Sequence, residues 1–119
     1  MVVDQDVDHN RQIAERLKRL GSSIIAAVTI ETAYRELEQN AIDLILMEAD
    51  NPNDDALSFC RSVCDSMATM NIPIIMLSND DRPETVWLAR RAGATFYLRK
   101  PFDPYVLLAL MSAALEPAE

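Results

Sequence analysis

Short groups of polar residues follow several apolar runs in this sequence, and their side chains are of the kinds that phosphoryl chemistry uses. The groups are Asp4-Gln5-Asp6, Glu48 with Asp50, Ser78-Asn79 and Lys100-Pro101. Carboxylates can hold a metal ion, while a hydroxyl and an ammonium can meet the oxygens of a phosphoryl group. Each of these residues is also common in turns and helix caps, so it is their joint occurrence that indicates a site.

Five apolar runs alternate with stretches in which apolar residues recur at helical spacing, as in Ile13, Leu17 and Leu20. Strict alternation of this kind predicts an α/β fold with parallel strands, right-handed crossovers and helices on both faces of one sheet. Ligands of such sheets bind at the carboxyl ends of the strands, so the polar groups are predicted to converge there. The predicted strands are Val2–Val3, Ile24–Val28, Leu44–Met47, Ile72–Leu77 and Thr95–Leu98.

Capping signals predict where several helices begin and end. Asp81 and Glu84 have the spacing of a capping box at the start of the fourth helix, and Asp103 precedes the fifth helix as a cap. Thr29 is expected to cap the second helix. Gly93 is expected to end the fourth helix in the left-handed conformation, which glycine adopts readily.

Composition limits the classes of protein that the chain can belong to. A length of 119 residues with 50% hydrophobic content predicts one domain spanning residues 1–119. A net charge of -8 disfavours direct nucleic-acid binding, and two glycines cannot build a glycine-rich nucleotide loop. The apolar runs are too short to cross a bilayer and the N-terminus lacks a secretory signal. We therefore expect no membrane insertion and a cytoplasmic location.

Several single residues are expected to have structural rather than functional roles. Cys60 and Cys64 lie one helical turn apart and are expected to be reduced, half-buried thiols. His9, the single histidine, is predicted to be a solvated loop residue without metal partners, and Trp87 to be a packing residue. The first strand, Val2–Val3, is shorter than a central strand should be, which favours an N-terminal truncation of that strand.

Over essentially its whole length the sequence resembles the receiver domain of two-component response regulators. The resemblance rests on Val2–Asp4, Asp43–Met47, Pro73–Ser78 and, most specifically, Gly93–Phe102. It implies a doubly wound (βα)5 fold with the flavodoxin-like strand order 2-1-3-4-5. It also implies a cis peptide bond between Lys100 and Pro101.

Two positions depart from the pattern of the family. In the family, two consecutive acidic residues and an aspartate after the third strand hold Mg²⁺, and that aspartate accepts the phosphoryl group. Here Asp4 is kept, but Gln5 replaces the second acidic residue and Glu48 replaces the aspartate, with Asp6 completing the acidic pocket. The lost charge should weaken or abolish Mg²⁺ binding, and the extra methylene of Glu48 should misplace a nucleophile. The resemblance therefore implies a pseudo-receiver without phosphorylation at the usual site, catalytic residues or a cofactor.

The remaining residues of the family site keep their types. Ser78 and Lys100 correspond to the residues that meet the phosphoryl oxygens, with Pro101 after the lysine, and Tyr97 corresponds to the aromatic switch whose ring turns inward on activation. We expect the ring of Tyr97 to be partly exposed. Glu48 is expected to form a direct ion pair with Lys100.

The resemblance also implies an output face made by the fourth helix, the fifth strand and the fifth helix. Val86, Arg90, Tyr97 and Arg99 are predicted to lie on or beside it. The implied partner is a protein, namely a histidine kinase, an output domain or a downstream regulator. A homodimer through the same face is also implied.

Three other interpretations stay open at this stage. Asp4-Gln5-Asp6-Val7 resembles the beginning of the DxDxV motif of haloacid-dehalogenase-type phosphatases, which would make Asp4 and Asp6 catalytic. A plain scaffold or dimerisation domain is the second alternative. Phosphorylation of Asp50 or Asp54, which lie beyond the third strand, is a third and minor one.

Overall fold

The computed structural model describes residues 1–21, 23–48 and 54–116, in which five strands and five helices alternate. All the strand pairs are parallel, and the strand order is β2-β1-β3-β4-β5. The predicted α/β sheet and its order are therefore confirmed. The elements are β1 Val2–Val3, α1 Val7–Arg19, β2 Ala26–Ala27, α2 Ile30–Gln39, β3 Ile45–Glu48, α3 Asp54–Asp65, β4 Ile74–Ser78, α4 Pro83–Arg91, β5 Phe96–Arg99 and α5 Pro104–Leu115.

The central strands β3 and β4 are apolar along almost their whole length because helices cover both faces of the sheet. Successive side chains of these strands point to opposite faces. Ile74 and Met76 join Phe59 in a core on one face, whereas Ile75 and Leu77 join a core on the face of α1 and α5. In the described part of the chain, no helix is long and apolar enough to span a membrane.

The strand ends differ from the predictions by one or two residues. β2 was predicted as Ile24–Val28 but comprises only Ala26–Ala27. β4 begins at Ile74 rather than Ile72, because proline has no N–H for the ladder and Pro73 contributes only its carbonyl, to Ile45. β3, β4 and β5 each extend one residue further than predicted. Glu48, Ser78 and Arg99, three of the predicted site residues, therefore stand at the ends of the strands themselves.

The predicted capping signals are mostly confirmed. The side chains of Thr29 and Asp103 each accept a backbone N–H of the helix that follows. Gly93 follows α4 with a φ of 115°, in the region that favours glycine. Cys60 and Cys64 are both free thiols, buried and half-buried respectively, and burial raises the pKa of the Cys60 thiol to about 12.

The capping box predicted at the start of α4 is wrong. Pro83 takes the first helical position, where a fixed φ and a missing N–H are tolerated, so the cap position falls on Arg82 rather than Asp81. Arg82 makes no side-chain cap. Asp80, further upstream, accepts hydrogen bonds from the backbone N–H and the side chain of Arg82 and from the hydroxyl of Thr85.

The hydrogen bonds to Asp80 predict how the stability of the fold depends on pH. Hydrogen bonding to the Arg82 side chain holds the pKa of the Asp80 carboxyl well below its usual range, so the ionised form stabilises the fold. The stability that this lowered pKa contributes is fully present above the unfolded-state pKa of about 4. It is lost as the pH falls through the pKa of Asp80 in the folded state. Asp80→Asn should therefore lower the urea midpoint at neutral pH, and the difference from the unsubstituted protein should shrink in acid.

Asp81→Asn is the matched control, because Asp81 is the neighbouring acid and its ion pair with Arg99 is exposed, where such pairs contribute little to stability. It should shift the urea midpoint much less than Asp80→Asn at neutral pH. Equal shifts of the urea midpoint for the two variants, or a larger shift for Asp81→Asn, would indicate that Asp81 stabilises the start of α4 at least as much as Asp80. That result would contradict the role given to Asp80.

Candidate functional site at the strand ends

The carboxyl ends of the strands bring the predicted residues to one edge of the sheet. Asp4 directly follows β1, Glu48 and Ser78 are the last residues of β3 and β4, and Lys100 directly follows β5. The backbone N–H of Lys100 donates to the Ser78 carbonyl at 2.8 Å, which continues the pairing of β4 and β5 into the site. The convergence predicted from the alternation of elements is therefore present.

A direct ion pair joins Glu48 and Lys100. The Lys100 Nζ donates to Glu48 Oε1, and the two side chains are 17% and 6% exposed respectively. Burial lowers the pKa of the Lys100 ammonium, while the nearby carboxylates of Asp4 and Asp6 act in the opposite direction. The predicted pair is present, and the predicted cis peptide bond between Lys100 and Pro101 is confirmed.

Asp4 is the buried acid of the predicted acidic pocket. Its side chain is 4% exposed, with Oδ1 accepting the backbone N–H of Asp6 at 2.9 Å and Oδ2 lying 2.5 Å from His9 Nδ1. Asp6 is exposed and caps α1 by accepting the His9 N–H at 3.1 Å. Gln5 is also exposed. The predicted pocket is thus one buried carboxylate, with Gln5 and Asp6 at its rim.

His9 is a member of this site, and its prediction as a solvated loop residue is wrong. It lies in the first turn of α1, its side chain is only 33% exposed, and its Nδ1 is 3.8 Å from Glu48 Oε2. The sequence did contain a signal for this. His9 stands three positions after the cap Asp6, so the first turn of α1 carries its ring back toward the strand ends.

Asn10 is a buried polar residue that the sequence analysis did not single out. Its amide donates to the carbonyls of Val2, Asp4 and Ala27 at 3.1 to 3.3 Å. These bonds tie the first turn of α1 to the ends of β1 and β2. They hold Asp4 and His9 in place relative to the sheet.

Ser78 and Tyr97 both form a hydrogen bond with Asp80, which lies in the loop between β4 and α4. Ser78 is fully buried, and its Oγ accepts the Asp80 backbone N–H at 3.1 Å. The Tyr97 hydroxyl donates to the carbonyl of the same residue. The ring is half-buried and packs against the core that includes Ala89 of α4. One loop residue therefore connects both predicted switch side chains.

The predicted output face carries large exposed side chains. Arg90 and Arg99 are exposed and Val86 is half-buried. Trp87 was predicted to be a packing residue, but it is 56% exposed and the Arg91 guanidinium lies 5.0 Å from its ring centroid. The guanidinium is attracted to the face of the ring, so Trp87 makes a favourable contact although it does not pack into the core.

Mg²⁺ does not match the side-chain donors described at this edge. It prefers oxygen ligands and octahedral geometry. Asp4 Oδ2 already faces an imidazole nitrogen, Glu48 Oε1 already binds Lys100, and Gln5 supplies no charge. Asp50 and the side chain of Asp54, the alternative phosphate acceptors, lie outside the described residues.

Comparison with known proteins identifies the family. The family model of the response regulator receiver domain matches residues 1–112, and the chain belongs to this family. The chain is 28% identical over 115 residues to the sensory transduction protein BceR of Halalkalibacterium halodurans, covering 97% of this chain and 48% of that protein. It is also 28% identical over 115 residues to the phosphate regulon transcriptional regulatory protein PhoB of Pseudomonas aeruginosa, covering 97% and 50%.

Solved structures agree with this assignment. The receiver domain of NtrX from Brucella abortus superimposes with a TM-score of 0.85 at 25% identity, covering 98% of both chains. The chain spans about half the length of the two relatives named above. It is therefore a receiver domain, a signal-transduction module of two-component systems, with the flavodoxin-like fold.

Proposed function

We propose that this chain is a pseudo-receiver, which switches protein interactions without being phosphorylated at the usual position. The observation that carries the proposal is the ion pair between Glu48 and Lys100. Glu48 stands at the end of β3, where the family has its phosphate acceptor, and the lysine that would meet a phosphoryl group is already bound to its carboxylate. Phosphorylation at Glu48 would require this buried pair to separate.

Charge also argues against phosphoryl transfer to Glu48. A transferred phosphoryl group needs a metal ion and cationic side chains around its oxygens. Gln5 is neutral and exposed, and one oxygen of Asp4 is engaged by His9. Without the second consecutive acidic residue of the family, the site offers Mg²⁺ fewer charged oxygen donors, and loss of Mg²⁺ binding is part of the proposal.

We further propose that Glu48 partly imitates a phosphorylated aspartate. The resemblance to the family implies that the switch tyrosine turns inward when the site is occupied, and here the Tyr97 hydroxyl is held by the Asp80 carbonyl. One carboxylate brings about one negative charge, against about 1.5 to 2 for a phosphoryl group, so the imitation is partial. The alternative is that the pair only neutralises a crowded acidic edge.

The output of this switch is protein binding through α4, β5 and α5. Val86, Arg90 and Arg99 lie on this face, together with the exposed rings of Trp87 and Tyr105. Exposed aromatic and arginine side chains are enriched at protein interfaces. The proposed partners are a histidine kinase, an output domain, a downstream regulator or a second copy of the chain, in the cytoplasm.

Two other functions remain as alternatives with direct tests. A phosphatase using Asp4 and Asp6 would hydrolyse a generic phosphate ester, but the Asp4 carboxylate is bound by His9 and by the Asp6 backbone. A plain scaffold would bind partners equally well whatever occupies position 48. We therefore propose no enzymatic activity.

Treatment with acetyl phosphate and Mg²⁺ tests the loss of phosphorylation. The intact mass of the protein should remain unchanged, because Glu48 is paired and the metal ligands are incomplete. The matched comparison is Gln5→Asp combined with Glu48→Asp, which restores both family residues and should gain the mass of one phosphoryl group. Phosphorylation of the unsubstituted chain, mapped to Glu48, would refute the proposal.

Removal of the Glu48 charge tests the imitation. Glu48→Gln keeps the volume of the side chain, so any change in binding follows from the charge. If imitation is real, self-association measured by sedimentation equilibrium should weaken by about tenfold or more, in line with the 1 to 3 kcal/mol typical of coupled sites.

The control for this experiment is Glu15→Gln, which removes an exposed charge from α1, a helix that is not part of the output face of α4, β5 and α5. It should leave self-association unchanged. If Glu48→Gln also leaves self-association unchanged but unfolds at lower urea, the pair is structural and the imitation is wrong.

A further inference from the structure

We propose that Asp4, His9 and Glu48 form a binding site for a divalent transition-metal ion of the zinc class. The site does not depend on the proposed function, which uses Glu48 only through its pair with Lys100. Asp4 Oδ2, His9 Nδ1 and a carboxylate oxygen of Glu48 all lie within 4.8 Å of one another. The three residues come from the end of β1, the first turn of α1 and the end of β3.

The spacing of the ligand atoms is close to what a tetrahedral ion needs. Zinc bonds of about 2.0 to 2.2 Å place neighbouring ligand atoms roughly 3.3 Å apart. His9 Nδ1 is 2.5 Å from Asp4 Oδ2 and 3.8 Å from Glu48 Oε2. A shift of the imidazole ring by about an ångström would therefore open the first gap and close the second.

A buried oxygen of Glu48 provides an independent indication of a ligand. Glu48 Oε2 is buried and has no hydrogen-bond partner among the described residues, and its side chain is 6% exposed. Buried carboxylate oxygens are normally satisfied by a donor or a cation. Because Lys100 binds the other oxygen, Oε1, a metal ion on Oε2 would complete the carboxylate without breaking the ion pair.

The chemistry of the donors selects the class of ion. One imidazole nitrogen with two carboxylate oxygens suits zinc and its transition-metal neighbours, whereas Mg²⁺ prefers oxygen alone. Asp4, Asp6 and Glu48 bring three negative charges against the single positive charge of Lys100. A divalent ion would therefore neutralise the excess negative charge.

Three protein ligands leave the fourth position of a tetrahedral ion open. His9 is 33% exposed and lines a cleft of about 480 Å³, together with Asn79, Lys100 and Phe102. The cleft therefore gives water or an anionic ligand a route as far as the His9 ring. For Nδ1 to bind the metal, the ring proton must reside on Nε2, and a protonated ring must release one proton.

Titration of the tag-free chain with Zn²⁺ tests the site. His9 is the single histidine, so its imidazole nitrogens give unambiguous signals in long-range ¹H–¹⁵N spectra. Zn²⁺ should shift the Nδ1 signal with saturation at one equivalent and fix the proton on Nε2, while Mg²⁺ at the same concentration should not. An Nδ1 signal that Zn²⁺ leaves unchanged would overturn the proposal.

Calorimetry with three variants assigns the ligands. His9→Gln should weaken Zn²⁺ binding by at least about tenfold, since even residues that merely support a ligand contribute about 10- to 100-fold. Asp8→Asn removes a neighbouring exposed acid, and Cys64→Ser removes the half-buried thiol. Both should retain the affinity within about twofold.

Circular dichroism establishes that each variant is folded, and the titration of the unsubstituted chain stands even if one variant does not fold. Equal Zn²⁺ affinity in the unsubstituted chain and His9→Gln, or loss of binding in Cys64→Ser, would place the ion elsewhere and refute the site.

Discussion

The ion pair between Glu48 and Lys100 is the interaction on which the arrangement of the strand ends depends. Its side chains are 6% and 17% exposed, so both charges have lost most of their contact with water. Loss of hydration costs several kcal/mol per ion, and close mutual attraction is needed to offset it. The nearby carboxylates of Asp4 and Asp6 in turn raise the pKa of the Lys100 ammonium, against the effect of its burial. This ammonium is therefore the positive charge that allows these acids to share one edge of the sheet.

The sheet order and the family match are those of a receiver domain. Under the proposed function, the same pair separates what this domain shares with its family from what differs. Ser78, Tyr97 and the lysine before a cis proline would be shared, and the carboxylate that binds the lysine would be the difference. On the proposed account, a permanent carboxylate at Glu48 takes the place of a phosphoryl group that arrives and leaves. The position of the switch residues would then be set by the sequence, and only a partner or a bound ion could alter it.

The sequence predicted the fold, because alternation of apolar runs and helical stretches dictates which strand ends meet. It also predicted the Glu48–Lys100 pair, because the resemblance to the family places the lysine beside the end of the third strand and the longer arm of Glu48 can reach it. It failed where a contact depends on a turn or on solvent exposure. His9 reaches Asp4 only because α1 begins one residue after Asp6, and Trp87 is exposed with a cation over its ring. Hydrophobic periodicity predicts neither feature.

A double-mutant cycle on Glu48→Gln and Lys100→Met tests most directly whether this pair holds the site together. Each single substitution leaves one buried charge without its partner, whereas the double substitution removes both charges. The unfolding free energy of the double variant in urea should therefore exceed the additive expectation, with a coupling of at least about 0.5 kcal/mol. Additive effects, with a coupling near zero, would contradict the claim that this ion pair organises the strand ends.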